Sequence, residues 1–553
     1  MVMQAWSVER VRAAEEAAKK FLPDDELMNR AAHGLANVLA TRTDEIAQHI
    51  SPGEDVRMIV LAGPGGNGGD ALFAAAFLRH FHTTRLEETD PTQTHVADIV
   101  PVLLTGQAHP SALQAIHDAG LTPLDASTDE GLTAAVHMIA TADIIVDGLF
   151  GIGGRLDLSH HDENTPPPAA WTLVNAIPDD AYLIAVDVAS GTDPAGETET
   201  DNCVWADETV TFSLVKGTHL LAGENATGLL TIIDIGIDEY GLLGLGTDGE
   251  LANENEDHID ALLTDGPATP MAERLTFDDV SHMWPTPGPR DDKYSRGVVG
   301  IIAGGENYTG AAILTVTAAV NTGAGMVRYI GPQTPTNLIR AHIPEAVHGP
   351  GKVQAWVIGP GLDPHPADDD ETGHTHLTHA RQALDSNEPA VIDAGGLDLL
   401  TGPRPHAGAR TLITPHAGEL ARLLTRLDPS APTSREDVEN APVSHARRAA
   451  ELLHATVLLK GNRTLVVPPT DNLPIRTQTN APAWLATAGA GDVLAGIAGT
   501  LLAAGLDPLD AGSLAALVHG VAAHDTNPGG PIRALHVAET LPTTIAALLR
   551  RPN

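Results

Sequence analysis

The sequence predicts an α/β protein of two domains, each built on a mainly parallel sheet. Three observations predict it. Short apolar runs recur along the 553 residues, many of them separated by helix-period segments, as a sheet covered by helices on both faces requires. Two glycine-rich turns, Gly63-Pro-Gly-Gly-Asn-Gly-Gly-Asp70 and Ala488-Gly-Ala-Gly-Asp492, each end on an Asp where a helical pattern begins, and neither repeats the other. Between them, 242–273 is rich in Gly and acid and weakly periodic, which sets domains at 1–241 and 274–553 with a linker between.

In chain order, Val2 to Lys20 and Asp24 to Thr41 read as amphipathic helices. Strand candidates follow at Met58 to Ala62, Ile99 to Leu104, Ile144 to Val146, Leu183 to Val188, Val210 to Phe212 and Leu229 to Ile233. Helical patterns such as Ala71 to Arg79 and Pro110 to Ala119 lie between several of them, and Pro166-Pro-Pro-Ala-Ala reads as a loop insertion. The second series of strands is Val298 to Ala303, Met326 to Ile330, Ala355 to Ile358, Ala390 to Ile392, Thr411 to Ile413, Thr456 to Leu459 and Thr464 to Val467. Ala483 to Leu506 is long and apolar, but Asp492 and its glycines divide it into a loop and a shorter buried helix rather than a membrane span.

The formal charge of −40, from 72 Asp+Glu against 32 Lys+Arg, argues against nucleic-acid or anionic-membrane partners. It fits a halophile with high internal salt, where charges are screened over about 3 Å at 1 M. Lysine is scarce enough that Lys216, Lys293 and Lys460 stand out. The single Cys203 excludes an intrachain disulfide and a Cys-based metal site. The first residues lack a signal-peptide core, so a cytoplasmic protein is expected.

Backbone N–H groups at the start of a helix attract an anion, and glycine lets a phosphate come close. The turn before Val493 is therefore a nucleotide-phosphate candidate, and Asp492 is placed to take a proton from a hydroxyl that attacks phosphorus. Further strand-end turns precede it: Gly359-Pro-Gly-Leu362, Val391-Ile-Asp-Ala-Gly-Gly396, Leu412-Ile-Thr-Pro-His-Ala-Gly-Glu419 and Leu459-Lys-Gly-Asn-Arg-Thr464. With Lys293-Tyr-Ser-Arg-Gly297 and Gly304-Gly-Glu-Asn-Tyr-Thr-Gly-Ala-Ala312, this series resembles the ADP/ATP-dependent NAD(P)H-hydrate dehydratase family of the ribokinase-like superfamily, from about Ala272 onward. The resemblance implies a ribokinase-like α/β domain that phosphorylates the hydroxyl of hydrated nicotinamide. Elimination then restores NADH or NADPH and releases AMP and phosphate. It further implies Asp492 as catalytic, Ala312, Gly361 and His416 in the hydrate pocket, Lys460, Gly461, Asn462, Arg463, Thr464 and Gly491 on the adenine nucleotide, and ADP with Mg²⁺ as cofactors.

In the first domain, Asn67 and Asp70 sit in the glycine turn, Asp143-Ile-Ile-Val-Asp147 leads into Gly148-Leu-Phe-Gly-Ile-Gly-Gly154, and Ala185-Val-Asp187 leads into Val188-Ala-Ser-Gly-Thr-Asp193. Two strand-end carboxylates with Asn and Ser oxygens can build a hard-oxygen cation site, and either carboxylate can act as a base. Together with Met28-Asn-Arg-Ala-Ala32, Val210-Thr-Phe-Ser-Leu-Val-Lys-Gly217 and Ile233-Asp-Ile-Gly-Ile237, these motifs resemble the NAD(P)H-hydrate epimerase family over about Trp6 to Ile237. That implies a Rossmann-like three-layer sandwich, a K⁺ ion on Asn67, Asp147 and Ser190, and Asp187 as the acid/base that interconverts the R and S hydrates. Gly66, Asn67, Gly68, Gly69 and Asp70, and Gly151, Ile152, Gly153, Gly154, Arg155, Leu156 and Asp157, would contact the hydrate.

The expected ligands are NADHX, NADPHX and an adenine nucleotide, the expected assembly a homo-oligomer and the expected source a halophilic archaeon. The alternative is a ribokinase-like small-molecule kinase carrying a non-catalytic N-terminal binding domain. It shares Gly-x-Gly-Asp but leaves Thr414-Pro-His416 and the first domain unexplained.

Overall fold

The computed structural model describes residues 2–50, 55–88, 97–153, 168–237, 269–406 and 410–550. Two compact units form, one of Ala5–Ala268 and one of Met1–Gln4 with Thr269–Asn553.

The first unit holds a seven-stranded parallel sheet. Its spatial order is Leu124–Asp125, Ala97–Leu103, Val56–Ala62, Ile144–Gly148, Tyr182–Val186, Glu208–Phe212 and Leu229–Ile233. The chain builds outward from Val56–Ala62 in one direction and then in the other. The order therefore reverses between Val56–Ala62 and Ile144–Gly148, and such a switch point opens a crevice at the strands' carboxyl ends. Continuous apolar runs suit strands covered on both faces. Met58 and Val60 face one core with Leu35, Leu39 and Leu72, while Ile59 and Leu61 face the other with Ala135, Ile139 and Leu173.

In the second unit the order is Val347–His348, Met326–Tyr329, Val298–Ile302, Ala355–Ile358, Ala390–Ile392, Thr411–Ile413 and Thr456–Leu459, all parallel. Thr464–Val467 and Ile475–Gln478 continue it antiparallel, and Ala272–Arg274 pairs parallel to Ile475–Gln478. The helices Thr309–Thr322, Ala490–Ala503, Pro508–Thr526 and Ala534–Leu549 contribute to one apolar core that includes Val316, Ala319, Leu494, Leu501, Leu514 and Leu541.

Several elements differ from the sequence expectation. Val2 to Lys20 is not one helix. Met3–Trp6 is a strand whose Ala5 and Trp6 pair with Val215 and Lys216, and the helix Val8–Lys19 begins only after Ser7, whose Oγ accepts the Arg10 N–H. The helix after the first glycine turn starts at Gly66, not Ala71, so Asn67 to Asp70 belong to its opening turns. The expected linker 242–273 falls mostly outside the described residues, and its last two residues already belong to the strand Ala272–Arg274. That strand and Ile475–Gln478 escaped notice because each is short and carries a charged residue, Glu273 or Arg476. Within Ala483 to Leu506 a short 3₁₀ turn at Ala483–Leu485 precedes the helix Ala490–Ala503, and no described helix is long and apolar enough to cross a membrane.

Close helix packing rests on glycine. A Cβ on Gly496 would meet the Thr315 carbonyl at 2.5 Å and Ala318 Cβ at 2.8 Å. Helix propensity alone favours Ala over Gly by about 1 kcal/mol, but here the obstacle is backbone, and overpacking costs about 1–3 kcal/mol. Gly496→Ala should therefore lower the unfolding midpoint of the second unit in urea. Gly310→Ala, at a helical site with nothing within 4 Å, should leave it unchanged or raise it.

Candidate functional site

In the first unit the two motif turns meet at the switch point. Gly63 donates its N–H to the Gly148 carbonyl at 3.0 Å, and a side chain on Gly63 would strike the Leu149 carbonyl. Gly68 likewise packs on Gly63, and Gly69 lies against Met28 and His109. Those two glycines therefore serve packing and do not line the cavity. Gly66, Asn67 and Asp70 do line it, with Glu15, Lys19, Met28, Phe150, Gly151, Ile152, Gly153 and Asp187, and its volume is about 510 Å³. Gly154, Arg155, Leu156 and Asp157 lie outside the described residues.

Asp187 ends the strand Tyr182–Val186 at φ +67°, a region that a non-glycine residue adopts only under constraint. Its N–H donates to the Val210 carbonyl at 2.8 Å. Its own carbonyl takes the His219 Nε2–H at 2.8 Å, while His219 Nδ1 accepts the Lys216 N–H at 3.1 Å. Burial and the neighbouring Lys216 push His219 down to about 4, so near neutral pH the ring keeps this one-donor, one-acceptor form. The Asp187 carboxylate is pinned through Oδ1, which accepts from Lys216 Nζ at 2.6 Å and Thr211 Oγ1 at 3.0 Å. Lys216 is 1% exposed.

Asp70 has no such tie. Its side chain makes no hydrogen bond among the described residues. Burial, then the charges of Asp187 and Glu15, push its carboxyl well above the usual range. Glu15 is raised for the same reasons, burial first and then Asp187.

Asp147, Ser190 and Asn67 form a second, drier cluster. Asp147 is fully buried; its Oδ1 accepts from Ser190 Oγ at 2.6 Å and Leu149 N–H at 3.2 Å, and its Oδ2 from the Ser190 N–H at 2.8 Å. The Asn67 amide sits 2.5 Å from the Val186 carbonyl and 3.5 Å from that of Phe150. Burial raises the Asp147 carboxyl although these bonds oppose it.

In the second unit the corresponding turns converge at the strands' carboxyl ends. Lys460 Nζ donates to Asp393 Oδ1 at 2.8 Å and lies 3.7 Å from Glu419 Oε2, and Thr414 Oγ1 donates to the same Asp393 oxygen at 2.9 Å. His416 and Lys460 are bridged in parallel, with the Lys460 N–H on the Pro415 carbonyl at 2.8 Å. His416 caps the helix Ala417–Leu427, its Nδ1 accepting the N–H groups of Gly418 and Glu419, with 55% of its side chain exposed. A Cβ on Gly491 would lie 3.3 Å from Lys460 Nζ and 3.8 Å from Asp393. Gly489 starts the helix Ala490–Ala503 at φ +89°, and Asp492 stands in its first turn. Burial and then the Asp393 charge push Asp492 up to about 7, against Lys460.

Gly361, at φ +65°, packs on Ala311 and Tyr308; Ala312 is fully buried against Gly304, so its methyl is wall rather than surface. In the turn after Lys460, Gly461 and Asn462 are exposed, Thr464 is half-buried and Arg463 is buried. Asp393, Thr414, Thr211, Lys216, His219 and Glu15 were not singled out as site residues from sequence. The scarcity of lysine was the available signal, since two of the six lysines, Lys216 and Lys460, are the ones that organise the carboxylates.

The arrangement defines a two-unit α/β protein in which each unit gathers buried carboxylates around one lysine at the strands' carboxyl ends. Residues 24–218 match the family model described as YjeF-related protein N-terminus, and 299–542 the model described as NAD(P)H-hydrate dehydratase. The bifunctional NAD(P)H-hydrate repair enzyme Nnr of Mycobacterium tuberculosis is 37% identical over 91% of this chain and 89% of its own length. That of Mycobacterium leprae is 35% identical over 98% and 99%. The ADP/ATP-dependent NAD(P)H-hydrate dehydratase of Bacillus subtilis, solved with ATP and Mg²⁺, is 24% identical with a TM-score of 0.43, covering 49% of this chain and 97% of that one. The chain belongs to the family of bifunctional NAD(P)H-hydrate repair enzymes.

Removing one partner of a buried ion pair strands the other charge and costs about 3–5 kcal/mol. Lys216→Met should therefore lower the first unit's unfolding free energy by about that amount in urea titrations. A double variant with Asp187→Asn should recover part of it; a double-variant loss equal to the sum of the two single losses would show that the pair is not coupled.

Proposed function

We propose that the first unit interconverts R- and S-NADHX and NADPHX, and that the second dehydrates the S hydrate with ADP, releasing NADH or NADPH, AMP and phosphate. The observation that carries the second half is Asp492. It is a carboxyl held near pH 7 at the start of a glycine-opened helix, beside a lysine. Such a group takes a proton from an attacking hydroxyl while the helix N–H groups hold phosphate. The hydrate then lies between Gly361, His416 and Asp492, and the nucleotide along Lys460 to Thr464 and Gly491. The fully buried Ala312 shapes the floor beneath Gly304. No cluster of three or more His, Cys, Asp or Glu fit for a metal exists among the described residues. Mg²⁺ would accordingly come with the nucleotide's phosphates, whose charge it neutralises.

In the first unit the hydrate occupies the cavity over Gly66, Asn67, Asp70, Gly151, Ile152, Gly153 and Asp187, with Asp187 as an acid/base group. Potassium suits the Asp147, Ser190 and Asn67 cluster. The fully buried Asp147 carboxylate has only uncharged hydrogen-bond partners, Ser190 and the Leu149 N–H, and the carbonyls of Phe150 and Val186 turn toward Asn67. The ion would supply the missing counter-charge. A cytoplasmic homo-oligomer fits this role, and a high-salt archaeal source rests on the acidic composition alone.

The decisive assay incubates the protein in KCl and Mg²⁺ with mixed R and S NADHX and ADP, following NADH absorbance. Full recovery is expected. Recovery that stops at the S fraction would remove the epimerase, and none with ADP or ATP would remove the whole reading.

Because Asp492 must be ionised to act as a base, kcat/KM for the hydrate at saturating ADP should rise with pH and level off above about 7. Asp393→Asn removes the charge that raises Asp492 and frees Lys460, so the midpoint should move to lower pH. An unmoved midpoint would assign the titration to another group.

A further inference from the structure

The two sites share a construction that points to a residue role in the first. In the second unit a strand-end aspartate, Asp393, is pinned by a lysine and a threonine, and the carboxyl left free for proton transfer is another one, Asp492, in the first turn of the glycine-opened helix. The first unit repeats this. Asp187 is pinned by Lys216 and Thr211 through one oxygen. The free carboxyl is Asp70, on the early turns of the helix opened by the other glycine turn. It lines the same cavity as Asp187 and makes no side-chain hydrogen bond among the described residues.

Resting on the epimerase reading, we propose that Asp70 is the general acid of the inversion and Asp187 its base on the opposite side of the hydrate ring. The carbon that inverts carries the hydroxyl and is bonded to the ring nitrogen. Asp70 gives its proton to that hydroxyl, the C–O bond breaks with its electron pair leaving as water, and the nitrogen lone pair forms a C=N bond. A water molecule adds from the other face, forming the new C–O bond, and its proton goes to the free Asp187 oxygen. One C–O bond is broken and one made, and one proton has passed from Asp70 to Asp187. The reverse inversion, or exchange with solvent, returns it.

The electrostatics agree with this division. Glu15, Asp70 and Asp187 share the cavity with Lys19, and Lys216 lies on Asp187. Burial and its carboxylate neighbours push the Asp70 carboxyl well above the usual carboxylate range, the direction an acid requires. One oxygen of Asp187 is already engaged by Lys216 and Thr211, but a C=N cation is a strong electrophile, and water attacking it needs little help.

The test uses the full chain, purified R-NADHX and no nucleotide, so that conversion to the S hydrate is read by chromatography alone. Wild type that fails to convert it overturns the epimerase reading itself. With active wild type, Asp70→Asn should lose at least 100-fold in kcat with KM changed less than threefold, while ADP-dependent dehydration of S-NADHX is retained. An Asp70→Asn rate within threefold of wild type overturns the assignment, and so does a loss confined to Glu15→Gln. Should Asp70→Asn fail to fold by urea titration, wild type in H₂¹⁸O decides. One ¹⁸O atom per inversion is expected, and retention of the original oxygen, which ring opening at the C–N bond gives, overturns the step.

Discussion

A carboxylate buried beside other carboxylates needs a cation, and the structure of both sites follows from how this chain supplies one. Lys216 and Lys460 each reach a strand-end aspartate, at 2.6 and 2.8 Å, and in each case a threonine hydroxyl donates to the same oxygen. The lysine is neutralised by that aspartate, so a second carboxylate nearby receives less of its charge. In the second unit, burial and Asp393 therefore outweigh Lys460 at Asp492, and in the first, burial, Asp187 and Glu15 outweigh Lys216 at Asp70. Each site thus contains one carboxylate fixed in an ion pair and one whose carboxyl is raised above the usual range, at Asp492 to about 7, the separation that acid–base chemistry exploits.

Backbone geometry keeps that separation in place. Asp187 is held at positive φ by the His219 bond to its carbonyl, and burial and Lys216 keep His219 neutral. Gly63, Gly68 and Gly359 lie where a side chain would collide with carbonyl oxygens, so the turns that carry Asp70 and Gly361 can close directly on neighbouring strands. The acidic surface has little part in this. Many of the described carboxylates behind its charge of −40 are exposed, and their interactions are weak and screened by salt.

Much of the fold was legible because apolar runs on a doubly covered parallel sheet are continuous. Ala355–Ile358, Ala390–Ile392, Thr411–Ile413, Thr456–Leu459, Thr464–Val467 and Leu229–Ile233 coincide with their sequence reading. Short strands with polar alternation were not: Met3–Trp6 pairs only with residues remote in sequence, and Ile475–Gln478 carries Arg476 within four residues. The glycine turns and Asp187 and Asp492 were legible as motifs. Their partners were not, because Thr211, Lys216 and Asp393 acquire meaning only when adjacent strands bring them onto one carboxylate. Gly68, Gly69 and Ala312 are packed against neighbouring atoms, a constraint the motifs do not show.

The likeness of the two sites also shows where they diverge. At Asp492 the free carboxyl stands directly over the Gly489 and Gly491 turn, next to Lys460. At Asp70 the free carboxyl faces a cavity of about 510 Å³ shared with Glu15 and Asp187. An anionic phosphoryl group would meet three carboxyls there. The proposed roles differ accordingly, proton transfer to the hydrate at the first site and phosphoryl transfer at the second. The hydrate that the second site does not accept is then inverted before it is phosphorylated, with the two steps carried on one chain.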